Sequence, residues 1–468
     1  MGGRRAARVV VATVLFLQLA GCGEAPGPRV ESALPDAPRP PLIVITLDTT
    51  RADHLSCYGY PVQTTPALDR RAESALRFLR AYAPMAQTLP SHASLFTGLG
   101  PRRHGVTDNH RSLAPSLGTL AEQLSSAGYD TAGFVASAVL QAESGIAQGF
   151  ESFDETQFDG GNRRHIERDA QAVTDAALTW LTAREDDRPP FLWVHYFDPH
   201  LPYEAPDALM HSLDVDPIVD LLADGPLDSD LMALYWRAYD AEIRYVDHHL
   251  ERLFAGLDAA GLTDDAVVLV VGDHGEGLFE HEERGHGVNL FEELVRVPLL
   301  LWSPGGELAG EVVAEPMALG DIHDVLLQLC LGGDAERSST TLWDELLHDG
   351  RLRPAPVFLE RPHYSKKHLR ERGGKDDPER YTHGEMVGVV AGQLKLIIGA
   401  DGREQLFDLA NDPAELIDIS EQRPGDVARL RALLDDWRDE LPFSGSDAVV
   451  EPLSEARREA LLQLGYGH

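Results

Sequence analysis

Cysteine is nearly missing from this chain, with three residues in 468. Cys57 and Cys330 lie far apart, which argues against a disulfide scaffold, and both read as buried thiols. Basic residues are scarce too: 41 Lys and Arg stand against 76 Asp and Glu, for a formal net charge of −35. So acidic a surface excludes polyanions such as nucleic acid as partners. It does not exclude a small anionic substrate, because a bound metal inverts the field inside a cleft. Internal repeats are absent, and no apolar run beyond the N-terminus is long enough to span a membrane.

The N-terminus has the opposite character. Arg4, Arg5 and Arg8 precede an apolar run, Val9 to Ala20, and then Leu19-Ala20-Gly21-Cys22 closes it with small residues and a cysteine. The run is too short to cross a bilayer comfortably. It resembles a bacterial lipoprotein lipobox, which implies a signal peptide over residues 1–21 and a lipidated Cys22. The Pro-, Gly- and Ala-rich residues 22–41 then form a flexible tether. A lipid-anchored protein of the cell envelope, on its periplasmic or extracellular face, is expected. Cleavage removes three arginines and no acid, which takes the net charge from −35 to −38.

The remainder suits one large α/β domain with an appendage. Short apolar runs alternate with helical patterns, the sequence sign of a mostly parallel sheet flanked by helices. Strands are predicted at 42–47, 131–136, 191–197, 267–271 and 297–302. Helices are predicted at 65–73, 91–96, 116–127, 169–183, 231–257 and 321–331. Residues 42–353 make this catalytic domain, and residues 354–468 a small antiparallel α+β subdomain. The latter has strand-like runs at 385–391, 393–398 and 404–409 and an amphipathic helix at 423–440. Ala205–Ser229 reads as an insertion near the site mouth and Arg361–His383 as a charged loop; both are placed to shape specificity.

Open sheets bind ligands beyond the carboxyl ends of their strands. Asp48 follows one apolar run, and Asp273-His274 follow another. Two carboxylates and an imidazole delivered this way form a ligand set for a divalent ion. Between them lies Thr88-Leu89-Pro90-Ser91-His92, at a helix start. There the helix dipole and free N–H groups favour an alkoxide and an incoming anion. Thr88 is therefore the candidate nucleophile, its hydroxyl activated by the cation, which it also touches.

Several motifs together resemble the sulfatase family of the alkaline phosphatase superfamily. They are Ile45-Thr46-Leu47-Asp48-Thr49-Thr50-Arg51, the block Thr88–Gly98, Pro101-Arg102-Arg103-His104-Gly105, and His195-Tyr196-Phe197-Asp198-Pro199-His200. Asp273-His274-Gly275-Glu276, Arg296-Val297-Pro298-Leu299 and Gln405-Leu406-Phe407-Asp408-Leu409 complete the set. The resemblance implies that fold and ester hydrolysis. It also implies a substrate contact or general acid at His200, and a substrate contact, proton donor or metal ligand at His286, near where many sulfatases place a lysine. Arg51 and His104 recur in the pattern and are expected to be structural.

The departures bear on chemistry. Sulfatases carry Cys or Ser, oxidised to formylglycine, where Thr88 stands, and Arg where His92 stands. Their second early aspartate is Thr49 here, and His274 often replaces an Asn. The ligand set thus suits one zinc, manganese or magnesium ion better than calcium. Threonine cannot give the aldehyde, so its ester must be cleared by attack on the transferred group, which phosphorus accepts more readily than sulfur. The Thr88 block also resembles the nucleotide pyrophosphatase/phosphodiesterases. That likeness implies a hydrogen bond from Asn109 to a non-bridging oxygen. Those enzymes use two zinc ions, but Asp240 and Asp247 here lack the accompanying histidine, so one metal is expected.

The expected function is hydrolysis of a sulfate or phosphate ester or diester through a covalent Thr88 intermediate. The substrate is a small anionic ester on a glycan, lipid or small molecule. Transfer of a phospho-alcohol head group and a non-catalytic binding lipoprotein are the rival readings.

Overall fold

The computed structural model describes residues 39–156, 167–214, 229–332, 342–349, 351–364, 384–441 and 454–463. Cys22, most of the tether and most of Arg361–His383 lie outside the described residues, as does most of Ala205–Ser229.

The main-sheet strands run in chain order as β1 (Leu42–Leu47), β2 (Leu76–Tyr82), β3 (Asp130–Phe134), β4 (Ser152–Asp154), β5 (Pro190–Tyr196) and β6 (Val267–Gly272). A small ribbon, β7 (Gly277–Leu278) with β8 (Arg284–Gly285), interrupts the order before β9 (Arg296–Trp302), β10 (Val312–Val313) and β11 (Met317–Ala318). The spatial order is β10-β2-β9-β6-β1-β5-β3-β4, with β11 also on β2. Only β9 runs antiparallel to its neighbours β2 and β6. Strand β1 sits centrally, parallel to both β5 and β6.

All six residues of β1 are buried, because helices cover both faces of the sheet. Leu42 and Val44 join one core with Phe191, Trp193 and the helices Thr88–Thr97 and Ile322–Leu331. Ile43, Ile45 and Leu47 join the other with Leu192, Val194 and the helices Ala170–Ala183 and Ser229–Ala259. A strand buried on both faces reads as an unbroken apolar run, which is why β1, β5 and β6 are legible in sequence.

Four expectations need correction, three in the main domain and one in the second sheet. The helix predicted at 91–96 spans Thr88–Thr97. Pro90 lies in its first turn, where a missing N–H costs nothing, so the helix starts upstream of the proline. Strand β2 was not expected: Arg77 and Arg80 break its apolar run, yet Arg77 donates to the Cys57 carbonyl and reaches over the Tyr58 ring. Cys57 is half-buried, whereas Cys330 is buried.

A second sheet, antiparallel throughout, is formed by β12 (Val357–Tyr364), β13 (Gly384–Ala391), β14 (Leu394–Ile398) and β15 (Glu404–Asp408). Arg361 therefore continues a strand and does not open a loop. One face of this sheet packs on the helix Pro424–Glu440 through Val427, Leu430 and Leu434. The other packs on Leu290, Phe291, Leu294 and Val295 of the main domain. Among the described residues no helix is long and apolar enough to cross a membrane.

Candidate active site

The register of three parallel strands brings the site together. Leu47 aligns with both Tyr196 and Gly272, so β1, β5 and β6 end level with one another. The chain then turns out of the sheet. Asp48 N–H donates to the Tyr196 carbonyl at 2.9 Å, and Asp273 N–H to the Leu47 carbonyl at 3.2 Å. Two carboxylates distant in sequence thus leave adjacent strand ends on the same side.

Gly272 and Gly275 permit this turn by close approach. A Cβ on Gly275 would lie 1.9 Å from the Glu293 carbonyl oxygen, and one on Gly272 would lie 2.8 Å from the Thr50 carbonyl oxygen. The left-handed residue is Thr49, at φ +46°. That conformation is strained for a β-branched side chain. It lets the Thr49 N–H donate to Asp273 Oδ1 at 3.1 Å, while its carbonyl accepts from Tyr239 Oη at 2.7 Å.

Each group at the centre has one side tied down and one side turned inward. Asp273 Oδ1 accepts from the N–H groups of Thr49 and His274, leaving Oδ2 without a partner. Asp48 Oδ2 faces Thr88 Oγ1 at 3.4 Å and His195 Nε2 at 3.3 Å, leaving Oδ1 without a partner. His274 Nδ1 donates to the Gly275 carbonyl at 2.9 Å, which places the Nε2 lone pair inward. That nitrogen lies 3.9 Å from Asp48 Oδ1, 3.7 Å from Asp273 Oδ2 and 3.4 Å from Thr88 Oγ1.

Burial pushes the Asp48 carboxyl well above the usual range, and nearby Glu276 pushes it further. Burial likewise raises Asp273, with the Asp48 charge second. Burial and then His286 hold His274 well below its ordinary value, so it stays neutral. Among the described residues no cationic side chain is paired with these two buried acids and neutral imidazole, and a divalent ion would supply the countercharge. These residues fit a small divalent ion with bonds of roughly 2.0–2.2 Å. Asp48, Asp273 and His274 form one of two candidate cation groups among the described residues; His92, His195 and Asp273 form the other.

The remaining predicted residues also reach this end of the sheet. Thr88 is fully buried in the first turn of the helix Thr88–Thr97, and the preceding Gln87 makes no side-chain cap. Asn109 Oδ1 takes the Leu89 N–H at 3.0 Å instead, and Asn109 Nδ2 is buried without a partner. Ser91 Oγ donates to the Asp273 carbonyl and ties the helix to β6. The His286 ring lies 4.5 Å from His274 and 5.2 Å from His200, centroid to centroid. His200 stacks on Phe197 and donates from Nδ1 to the Leu201 carbonyl at 2.6 Å. His286 Nδ1 faces buried Glu276 Oε2 at 3.4 Å.

Arg51 and His104 are structural, as expected. Arg51 pairs with Asp53 and Glu280. His104 bridges Ser94 Oγ and the Val106 N–H. Asp240 is held by His54 and Tyr60, and Asp247 accepts the N–H groups of Ala67 and Leu68. Sequence reasoning gave no role to His195 and saw His92 only as a departure. Their signal was positional: His195 aligns with Thr46 in β5, two residues before the strand-end turn of β1.

A sheet of this order, with an acid–acid–imidazole cluster and a buried hydroxyl at its strand ends, defines a class of metal-assisted ester-cleaving α/β enzymes. The sulfatase family model matches residues 40–332, and the chain belongs to the sulfatase family of ester hydrolases. It is 23% identical to an arylsulfatase of Clostridium perfringens over 85% of this chain and 94% of that one. It is 26% identical to a choline-sulfatase of Rhizobium meliloti over 84% of this chain and 85% of that one. In fold it is similar to a phosphonate monoester hydrolase of Agrobacterium radiobacter. The TM-score is 0.70 and identity 21%, over 87% of this chain and 96% of that one.

Proposed function

We propose that this protein cleaves an anionic phosphate or sulfate ester through a covalent ester on Thr88, with a phosphorus centre the favoured substrate. The observation that carries the reading is the buried Thr88 hydroxyl, 3.4 Å from both Asp48 Oδ2 and His274 Nε2 at a helix start. A divalent ion held by Asp48, Asp273 and His274 would lower the pKa of that hydroxyl and screen the anionic ester. Zinc, manganese or magnesium suits a set containing an imidazole.

The residues then divide the work. Thr88 Oγ1 bonds to phosphorus as the bond to the leaving alcohol breaks, and the hydroxyl proton passes to the facing Asp48 Oδ2. Asn109 Nδ2, at the positive end of the helix dipole, holds a non-bridging oxygen. His286, its Nδ1 facing Glu276, donates a proton from Nε2 to the leaving oxygen. His200 contacts the ester from the adjoining wall. Water then attacks phosphorus, giving a proton to the now neutral His286, as the bond to Thr88 breaks and Oγ1 regains its proton from Asp48.

Lipid attachment at Cys22 would hold the enzyme at the cell envelope, close to lipid or glycan esters. The test is one aryl leaving group presented as phosphodiester, phosphomonoester and sulfate to protein reconstituted with each metal. Turnover of a phosphorus ester, with Thr88-linked phosphate trapped on acid quench, is expected. Turnover of the sulfate alone would overturn the phosphorus assignment. Label passed to an added alcohol in preference to water would make the protein a transferase.

A further inference from the structure

The second candidate cation group, His92, His195 and Asp273, is settled by where the ring protons must lie. His92 Nδ1 is 2.8 Å from the Thr88 carbonyl oxygen, which only accepts, so Nδ1 carries hydrogen. His92 Nε2 is 3.0 Å from Thr46 Oγ1, and Trp193 Nε1–H already donates to that oxygen at 3.0 Å. The Thr46 hydroxyl hydrogen therefore points at His92 Nε2. Both nitrogens are committed, and His92 has no lone pair left for an ion.

His195 has the opposite tautomer. Its Nδ1 accepts the Ala136 N–H at 3.4 Å, so the hydrogen sits on Nε2. That nitrogen is fully buried and has no other hydrogen-bond partner, and it lies 3.3 Å from Asp48 Oδ2. A protonated nitrogen is not a ligand; here it lies within ion-pair distance of a carboxylate oxygen but is not hydrogen-bonded to it.

From this geometry we infer that His195 is a positioning residue for Asp48: once an ion is bound, its buried and unpartnered Nε2–H takes Oδ2 as acceptor and so leaves Oδ1 to face the ion beside Asp273 Oδ2 and His274 Nε2. The inference rests on the proposed metal-binding role of Asp48. A carboxylate with both oxygens free can rotate about its last bond; one oxygen fixed by a buried donor leaves a single lone-pair direction for an ion. The chain Trp193–Thr46–His92 fixes the other wall by holding the Thr88 carbonyl, in the place where sulfatases carry an arginine. The second group is thus an orienting shell, and one ion binds.

The test is zinc affinity, measured by competition with a chelator on the full folded protein, for wild type, His195→Gln and His195→Leu. Glutamine presents an N–H near the position of Nε2; leucine presents none. His195→Leu is expected to bind zinc about 10–100-fold more weakly, the usual cost of an outer-shell partner. His195→Gln is expected to recover most of that loss, and all three to saturate at one zinc per chain. Unchanged affinity in His195→Leu overturns the inference, as does loss of a zinc equivalent in both variants, which would make His195 a ligand. Wild-type protein that takes up neither zinc, manganese nor magnesium overturns the metal reading and this one with it. Where His195→Leu does not fold, His195→Asn replaces it; its shorter amide falls short of Asp48, and binding as tight as that of His195→Gln overturns the inference.

Discussion

Thr88 is the residue on which the chemistry turns, and its environment makes its loss separable from loss of fold. Its hydroxyl has long contacts only, at 3.4 Å, to Asp48 and His274. Thr88→Ala is expected to leave the circular dichroism spectrum and melting temperature close to wild type while kcat falls by roughly 10⁴ or more. Near-wild-type turnover would exclude a covalent Thr88 intermediate. Asp273 tests the ligand set. Asp273→Asn keeps an oxygen for the N–H groups of Thr49 and His274, but puts an amide donor where Oδ2 faces His274 Nε2. Metal affinity is expected to fall by more than the roughly 10–100-fold cost of an outer partner, read by elemental analysis after dialysis. Unchanged metal content would remove Asp273 from the set.

The segment from Gly275 to Glu293 is the element that carries Glu276 and His286, and the second sheet holds it in place. Arg361 of β12 donates to the Val288 carbonyl at 2.9 Å. Lys395 of β14 is fully buried between Glu292 at 3.1 Å and Glu415 at 3.0 Å. His281 stacks on Phe291, pairs with Glu293 at 2.7 Å and donates to the Glu415 carbonyl at 3.2 Å. Burial opposes charge on His281, but Glu293 and then Glu415 outweigh it and lift its pKa to about 9. A histidine raised on folding contributes stability that is complete below about pH 6.5 and lost as pH rises through about 9. The wild-type melting temperature should therefore fall across that window, and His281→Gln should lack this component. Parallel curves for the two proteins would show that the ion pair adds no stability.

At the scale of the whole molecule the two sheets share one apolar interface. Leu290, Phe291, Leu294 and Val295 meet Val357, Leu359, Met386, Val390, Ile397 and Phe407 there. A chain ending at residue 353 would expose the first four and lose the anchors at Arg361 and Lys395. It is expected to be insoluble, or to elute as aggregate in size-exclusion chromatography. A monodisperse, active truncated protein would show that the second sheet is dispensable. The outer edge of the molecule also reaches the site: Arg457, in the helix Glu455–Gln463, donates to the Arg111 carbonyl at 3.2 Å, behind the loop that carries Asn109.

Local pattern alone was enough for the doubly covered strands, since burial on both faces leaves a continuous apolar run, and for the acids placed just beyond such runs. Arg77 and Arg80 hid β2 because they interrupt its apolar run, while the contacts that place Arg77, to the Cys57 carbonyl and the Tyr58 ring, are displayed by no window of sequence. What belonged to tertiary structure was direction. Which carboxylate oxygen turns inward, which imidazole nitrogen bears hydrogen, and why His195 and His92 face the centre all follow from hydrogen bonds between segments far apart in the chain. Side-chain type is written residue by residue; the orientation of a lone pair exists only once its other partners are in place.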